Sequence, residues 1–243
     1  MKIPYRDLSV KDPELKAELL QSVDSVLSHG RTILGPEVDE FEKQIAEYCQ
    51  KKYAVGVNSG TDALYYALRC LDVGQGDEVI TTPLSWIATL NAISLCGATP
   101  VFVDISDDLN INVNLISDAI TPKTKAIVPV HFTGRMCNMA QIIDVASKHG
   151  IHVVEDAAQA FGAHIAGAVA GSFGEVSCFS MNPMKVFCAY GDAGAVVTDD
   201  YQLCQRIKSL RYNGTVNKED CHEPSLNGRI DTVQAAMMLV ELK

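Results

Sequence analysis

The chain has 243 residues, 47% of them hydrophobic, which is long for one domain, short for two full ones, and ample for a buried core. Thirty acidic against twenty basic side chains give a formal charge of -10, which repels nucleic acid and anionic lipid wherever it is spread over the surface, so a phosphorylated ligand needs a local positive pocket. The longest weakly polar run, Trp86 to Ala98, is too short to span a bilayer, and Met1-Lys2-Ile3-Pro4-Tyr5-Arg6-Asp7 lacks the apolar core and small-residue cleavage site of a secretory signal, so the expected location is the cytoplasm.

Asp12-Pro13 opens a first helix with a capping acceptor and a proline at the first helical position. From about residue 53 the chain alternates β-rich runs with amphipathic stretches. A strand at Tyr53 to Val57 leads to a helix from Thr61 to Leu71, and one at Glu78 to Thr81 leads to a helix from Ser85 to Cys96. Further strands are expected at Thr99 to Val103, Lys125 to Val130 and Ile151 to Glu155. Asn138 and Gln141 have the form of a capping box for a helix ending at His149-Gly150. Beyond Phe161 come short strands, Val176 to Phe179 and Ala193 to Thr198, with glycine-rich turns. A helix from about Asp200 to Tyr212, a polar linker from Asn213 to Arg229 and a final helix from Asp231 complete the chain. Strands alternating with helices predict βαβ units, hence an α/β fold whose mostly parallel sheet is covered on both faces.

Eight cysteines are scattered without a C-x-x-C pair, and the six histidines do not cluster with them. They read as reduced core residues, and no metal site is expected. Gly74-Gln75-Gly76-Asp77-Glu78-Val79 lacks the third glycine of a dinucleotide fingerprint and precedes a strand instead of following one. No G-x-x-x-x-G-K-[ST] occurs.

In open parallel sheets, ligands bind beyond the carboxyl ends of the strands. Asn58-Ser59-Gly60-Thr61, Thr82 to Trp86, His131 to Gly134 and Asp156 to Gln159 all fall at such positions. Ser59, Gly60 and Thr61 lie between a strand and a helix, where free N–H groups and the helix dipole favour a phosphate; the same residues also suit a plain N-cap. Asp156 closes an apolar strand, as a buried carboxylate partner or as a helix cap. Gln159 is a hydrogen-bonding group near it or an ordinary surface amide. Trp86, the sole tryptophan, lies just past a strand end, to stack on a planar ligand or to fill a core or interface. Lys185 follows Asn182-Pro183, which interrupts a strand; a solvated surface lysine is the alternative. A lysine able to form a Schiff base and a carboxylate able to hold a pyridinium proton are the two groups that pyridoxal 5'-phosphate (PLP) demands of a protein.

Taken together, these residues resemble the DegT/DnrJ/EryC1/StrS family of PLP-dependent sugar aminotransferases, within the fold type I, aspartate aminotransferase-like superfamily. The likeness runs through Gly35 to Glu42, Asn58 to Leu64, Glu155-Asp156-Ala157-Ala158-Gln159, Phe179 to Lys185, Gly191-Asp192-Ala193-Gly194-Ala195 and Asn227-Gly228-Arg229 before Gln234-Ala235-Ala236. The resemblance implies a three-layer α/β/α, PLP-dependent transferase-like fold with a segment and helix over 1–35 and a large PLP-binding domain over 36–212. A linker and helix over 213–243 would lead to a small C-terminal domain. Family members usually continue for well over a hundred residues into that domain, so its absence or truncation is expected here.

The resemblance further implies Lys185 as the Schiff-base lysine, Asp156 at the pyridine nitrogen and Gln159 near the ring oxygen. Gly60, Thr61 and Ser180 would hold the phosphate and Trp86 would stack on the ring. Asn227 would reach the cofactor phosphate of a neighbouring subunit, making a homodimer with a shared active site the minimal unit. Arg229 and Arg211 would help anchor anionic substrate groups. Ala193 departs from the family's second glycine in this loop, a mild change. The implied activity is transfer of an amino group, with glutamate as donor, to a nucleotide-linked keto-sugar, for amino-sugar or surface-polysaccharide biosynthesis. The alternatives are a PLP-dependent sugar dehydratase, whose deoxygenating branch replaces the lysine with histidine, and a truncated non-catalytic homologue.

Overall fold

The computed structural model describes residues 5–216 and 219–242; the first residues of the N-terminal segment, Asn217 and Lys218 of the predicted linker and the terminal Lys243 lie outside the described residues. Helices α1 (Pro13–His29) and α2 (Pro36–Tyr48) precede strand β1 (Tyr53–Val57). They are followed by α3 (Gly60–Cys70), β2 (Glu78–Thr81), α4 (Ala88–Leu95), β3 (Thr99–Phe102), α5 (Val113–Ala119), β4 (Thr124–Val128), α6 (Met139–His149) and β5 (His152–Asp156). After a hairpin of β6 (His164–Ile165) and β7 (Ala168–Val169), strands β8 (Val176–Ser180) and β9 (Gly194–Thr198) lead to α7 (Tyr201–Leu210). A second hairpin, β10 (Thr215–Val216) with β11 (Asp220–Cys221), precedes α8 (Thr232–Glu241).

Seven strands form one sheet in the order β1-β9-β8-β5-β4-β2-β3. The pairs from β8 through β3 are parallel, while β9 is antiparallel to both β1 and β8. Strand β9 alone therefore runs against the rest, and the carboxyl ends of the other six share one edge.

Alternation along each strand sends successive side chains to opposite faces. Val55, Val57, Val79, Ala126, Val128, Val154, Val176 and Val196 pack with the apolar sides of α3, α4 and α7. On the opposite face Ala54, Phe179, Ala195 and Val197 meet α2 and α8, and Ile80, Ile127 and Val153 meet α5 and α6. The expected α/β/α layering with a mostly parallel sheet is thus observed.

The capping signals act as their sequence suggests. Asp12 accepts from the amides of Glu14 at 2.9 Å and Leu15 at 3.4 Å. Asn138 accepts from the Gln141 amide at 3.3 Å, and left-handed Gly150 ends that helix. The reciprocal bond differs from a capping box: the Gln141 side chain accepts from the Asn138 side-chain amide, not from its backbone.

Several expectations shift. The helix expected from Ser85 begins at Ala88, because Ser85 and Trp86 still belong to the turn leaving β2. The polar linker contains the β10–β11 hairpin, pinned to the large sheet's helices by Glu223, which pairs with Arg69 and Arg206. Cys49, Cys70, Cys96, Cys137, Cys178 and Cys204 are buried, but Cys188 is half-buried and Cys221 is exposed, so the core reading fails for those two. Among the described residues no helix is long and apolar enough to cross a membrane, and no group of three His, Cys, Asp or Glu side chains is placed to hold a metal.

Candidate active site

A cleft of about 950 Å³ opens at the carboxyl edge of the sheet. It lies within the size range of small-molecule sites. Ser59, Gly60, Thr61, Trp86, Asp156, Gln159, Ser180 and Lys185 all line it. The chain reaches it from the ends of β1, β2, β5 and β8, which explains how sequence-distant groups meet there.

One wall is the start of α3. Ser59 is the N-cap, its hydroxyl accepting from the Asp62 amide at 3.1 Å. The capping reading of Ser59 is therefore satisfied. The amides of Gly60 and Thr61 have no acceptor among the described residues, and they stand at the positive end of the helix. Gly60 abuts the end of β8, and Gly194 lets β9 pass the Ser59 carbonyl, where a Cβ atom would fall 2.5 Å from that oxygen.

The floor is Asp156, the last residue of β5, only 3% exposed. Its Oδ2 accepts from the Thr89 hydroxyl at 2.8 Å and its Oδ1 from the Ala158 amide at 3.2 Å. Burial raises its pKa, and those two donors together with the charge of Lys185 pull the other way. Behind it, buried His131 and Glu155 are bonded at 2.8 Å; Glu155 also accepts from Gly171 and Phe173 amides and the Ser177 hydroxyl. The Cys137 amide donates to His131 Nδ1, so the imidazole proton lies on Nε2, facing Glu155.

Lys185 is carried on a turn. Its amide donates to the Asn182 carbonyl at 2.8 Å, with Pro183 in between and the Asn182 side chain accepting from Met184. Proline after asparagine suits the start of such a turn. Burial lowers the Lys185 pKa, and the Asp156 charge partly opposes this. Arg6, a residue that sequence reasoning did not single out, donates to the carbonyls of Met184 and Lys185 and lines the same cleft. With Lys185 and the start of α3 it forms the local positive pocket that the overall charge makes necessary.

Gln159 accepts from the Thr133 amide at 3.1 Å, which leaves its NH₂ group available. Trp86 is 72% exposed, at the rim and not in the core. Asn227 is exposed and lies outside the lining of its own chain's cleft, its Oδ1 accepting from Arg229 Nε at 2.7 Å. Arg229 covers the Tyr212 ring at 4.7 Å. Arg211 does not serve a ligand: its buried guanidinium donates to Glu42 and to the Gly56 carbonyl, on the α2 and β1 side of the sheet. Thr89 also escaped sequence reasoning.

These groups fit PLP. A buried carboxylate with lone pairs left beyond its two donors suits a ring N–H⁺, free amides at a helix start suit a phosphate, and a half-buried amine with a lowered pKa suits a Schiff base.

The sequence profile of the DegT/DnrJ/EryC1/StrS aminotransferase family matches residues 13–243. Over 242 residues, 99% of its length, the chain is 43% identical to the dTDP-3-amino-3,4,6-trideoxy-alpha-D-glucose transaminase of Streptomyces venezuelae. It is also similar to the crystal structure of S. venezuelae DesV in complex with a ketimine intermediate, with a TM-score of 0.95 and 43% identity over 99% of this chain and 65% of that one. NtdA from Bacillus subtilis with bound cofactor PMP matches with a TM-score of 0.93 and 32% identity, over 99% of this chain and 56% of that one. The chain spans 64% of the length of the S. venezuelae transaminase.

Proposed function

The chain belongs to the DegT/DnrJ/EryC1/StrS aminotransferase family, and from that premise we propose that it is a PLP-dependent transaminase moving an amino group from glutamate to a nucleotide-linked keto-sugar. The observation that carries this reading is the placement of Lys185 and Asp156 in one cleft beside the start of α3. The setting would be amino-sugar or surface-polysaccharide biosynthesis in the cytoplasm.

When bound, PLP supplies an aldehyde that condenses with amines and a ring that withdraws electrons from the adjoining carbon. Gly60 and Thr61 amides and the Ser180 hydroxyl would bind its phosphate. Asp156 would hold the proton on the ring nitrogen, a cation that favours the charged carboxylate. Trp86 would cover one face of the ring, and Gln159 would donate from its free NH₂ group to the ring oxygen. Lys185 Nζ, whose pKa burial lowers, takes the proton from the α-carbon of the amino donor and holds it for return. The same amine serves the sugar half of the cycle in reverse. A lysine at this position disfavours the deoxygenating dehydratase.

The unit that holds the cofactor is residues 36–212, with α1 and α8 packed together as its flank. A homodimer with a shared site is the working assembly. Exposed apolar side chains lining the cleft, Trp86 and Met184, with exposed Ile87 and Val186 next to them in the chain, support it, as does an exposed Asn227 outside the lining of its own cleft. The test is a coupled assay of 2-oxoglutarate release from glutamate against a panel of nucleotide-linked keto-sugars. Release that depends on the nucleotide sugar supports the reading; turnover of simple keto acids alone points to another transaminase class.

A further inference from the structure

We propose that Ser85 and Thr89 form a hydroxyl relay onto Asp156, which makes Thr89 the positioning residue that aims this carboxylate and keeps it charged. The inference rests on the reading of Asp156 as the partner of a bound pyridine nitrogen.

Thr89 is 2% exposed, in the first turn of α4, and its Oγ1 lies 2.8 Å from Asp156 Oδ2 and 2.8 Å from Ser85 Oγ. A hydroxyl owns one proton, and an ionised carboxylate only accepts. The Thr89 proton is therefore committed to Asp156, and the bond between the two hydroxyls must run from Ser85 to Thr89. Each donation polarises the next, so the pair acts on the carboxylate in series. Thr89 is β-branched and stiff at χ1, which fixes the direction of its hydroxyl. Ser85 lines the cleft, so the outer end of the relay sits where a ligand would arrive.

No other described side chain donates a hydrogen bond to Asp156. Lys185 acts on it through charge, and His131 has both ring nitrogens engaged elsewhere, with Glu155 and the Cys137 amide. Glu155 precedes Asp156 on β5, and the thiols of Cys137 and Cys178 are held neutral by burial. Thr89 is thus the side chain through which the protein tunes this carboxylate by direct contact, beside the Ala158 backbone amide.

The experiment is a ¹³C NMR titration of the Asp156 carboxyl in the full chain, alongside PLP affinity measured by absorbance at several pH values. T89V keeps the shape and removes the donor. It should move the Asp156 midpoint up by about one pH unit and weaken PLP binding about tenfold, with the acid limb of the affinity profile shifted the same way. T89S should restore the wild-type midpoint, and S85A should give a smaller upward shift. An unmoved midpoint in T89V, or a T89S that behaves as T89V does, overturns the relay. Should T89V not fold, S85A decides: an upward shift supports the proposal and an unmoved midpoint overturns it. Midpoint shifts as expected in the variants, with no PLP binding by the wild-type chain, would refute the cofactor reading and leave the relay standing.

Discussion

Gly60 lies so close to Ser180 that a Cβ atom at position 60 would fall 2.5 Å from the Ser180 Cβ. That contact brings the start of α3 against the end of β8 and sets the two halves of the proposed phosphate cradle side by side. G60A must push them apart. Overpacking of this kind costs about 1 to 3 kcal/mol, and PLP affinity should fall at least about tenfold because cradle geometry is lost. A modest drop in Tm with wild-type affinity would show that the two elements do not share a ligand.

Asp156 has its pKa raised by burial, so the folded chain binds a proton more readily than the unfolded chain does. The sign follows from linkage: holding this charge costs stability above the folded pKa, and the cost vanishes below the ordinary value of 3.8. D156N should therefore raise Tm at pH 7 in the cofactor-free chain, with the advantage shrinking as the pH falls toward that value. The same variant should lose PLP binding. Thermal melts across pH, with and without PLP, check both halves.

Trp86 separates stacking from packing because it is 72% exposed in a single chain. W86A should change the stability of the monomer by less than about 0.5 kcal/mol and weaken PLP binding about three- to tenfold. Loss of dimer on a sizing column with PLP affinity intact would assign the ring to an interface instead.

Arg211 and Glu42 form a buried ion pair that also holds the amide and carbonyl of Gly56. Lys208 lies 3.3 Å from the other Glu42 oxygen. R211A should cost about 3 to 5 kcal/mol, toward the lower end because Lys208 remains, or roughly 10 °C in Tm for a chain of this size. PLP affinity should not change below the melting range. Urea denaturation and absorbance titration measure the two effects.

Most of the sheet was legible because each strand pairs an apolar alternation with a turn signal. The α3 start, the ends of β5 and β8 and the glycine loop were legible because their residue types are tied to backbone position. Helices α2 and α5 carry no clear periodic signal in the sequence: Glu42 is a polar residue on the buried side of α2, and α5 is too short to establish a period. Arg211 misled for a physical reason, since a basic side chain near a candidate site reads alike whether it faces a ligand or a buried carboxylate. Thr89 and Arg6 were invisible because their roles depend on partners distant in sequence, Asp156 and the Lys185 turn, that only the fold brings into contact.

The proposed function requires one cleft to bind PLP covalently at Lys185 against Asp156. Borohydride reduction of the PLP-treated chain, followed by peptide mapping, tests it most directly. A single pyridoxyl-modified peptide carrying Lys185 is expected, absent in K185A and strongly reduced in D156N. Label spread over surface lysines, or an unchanged yield in K185A, would contradict it.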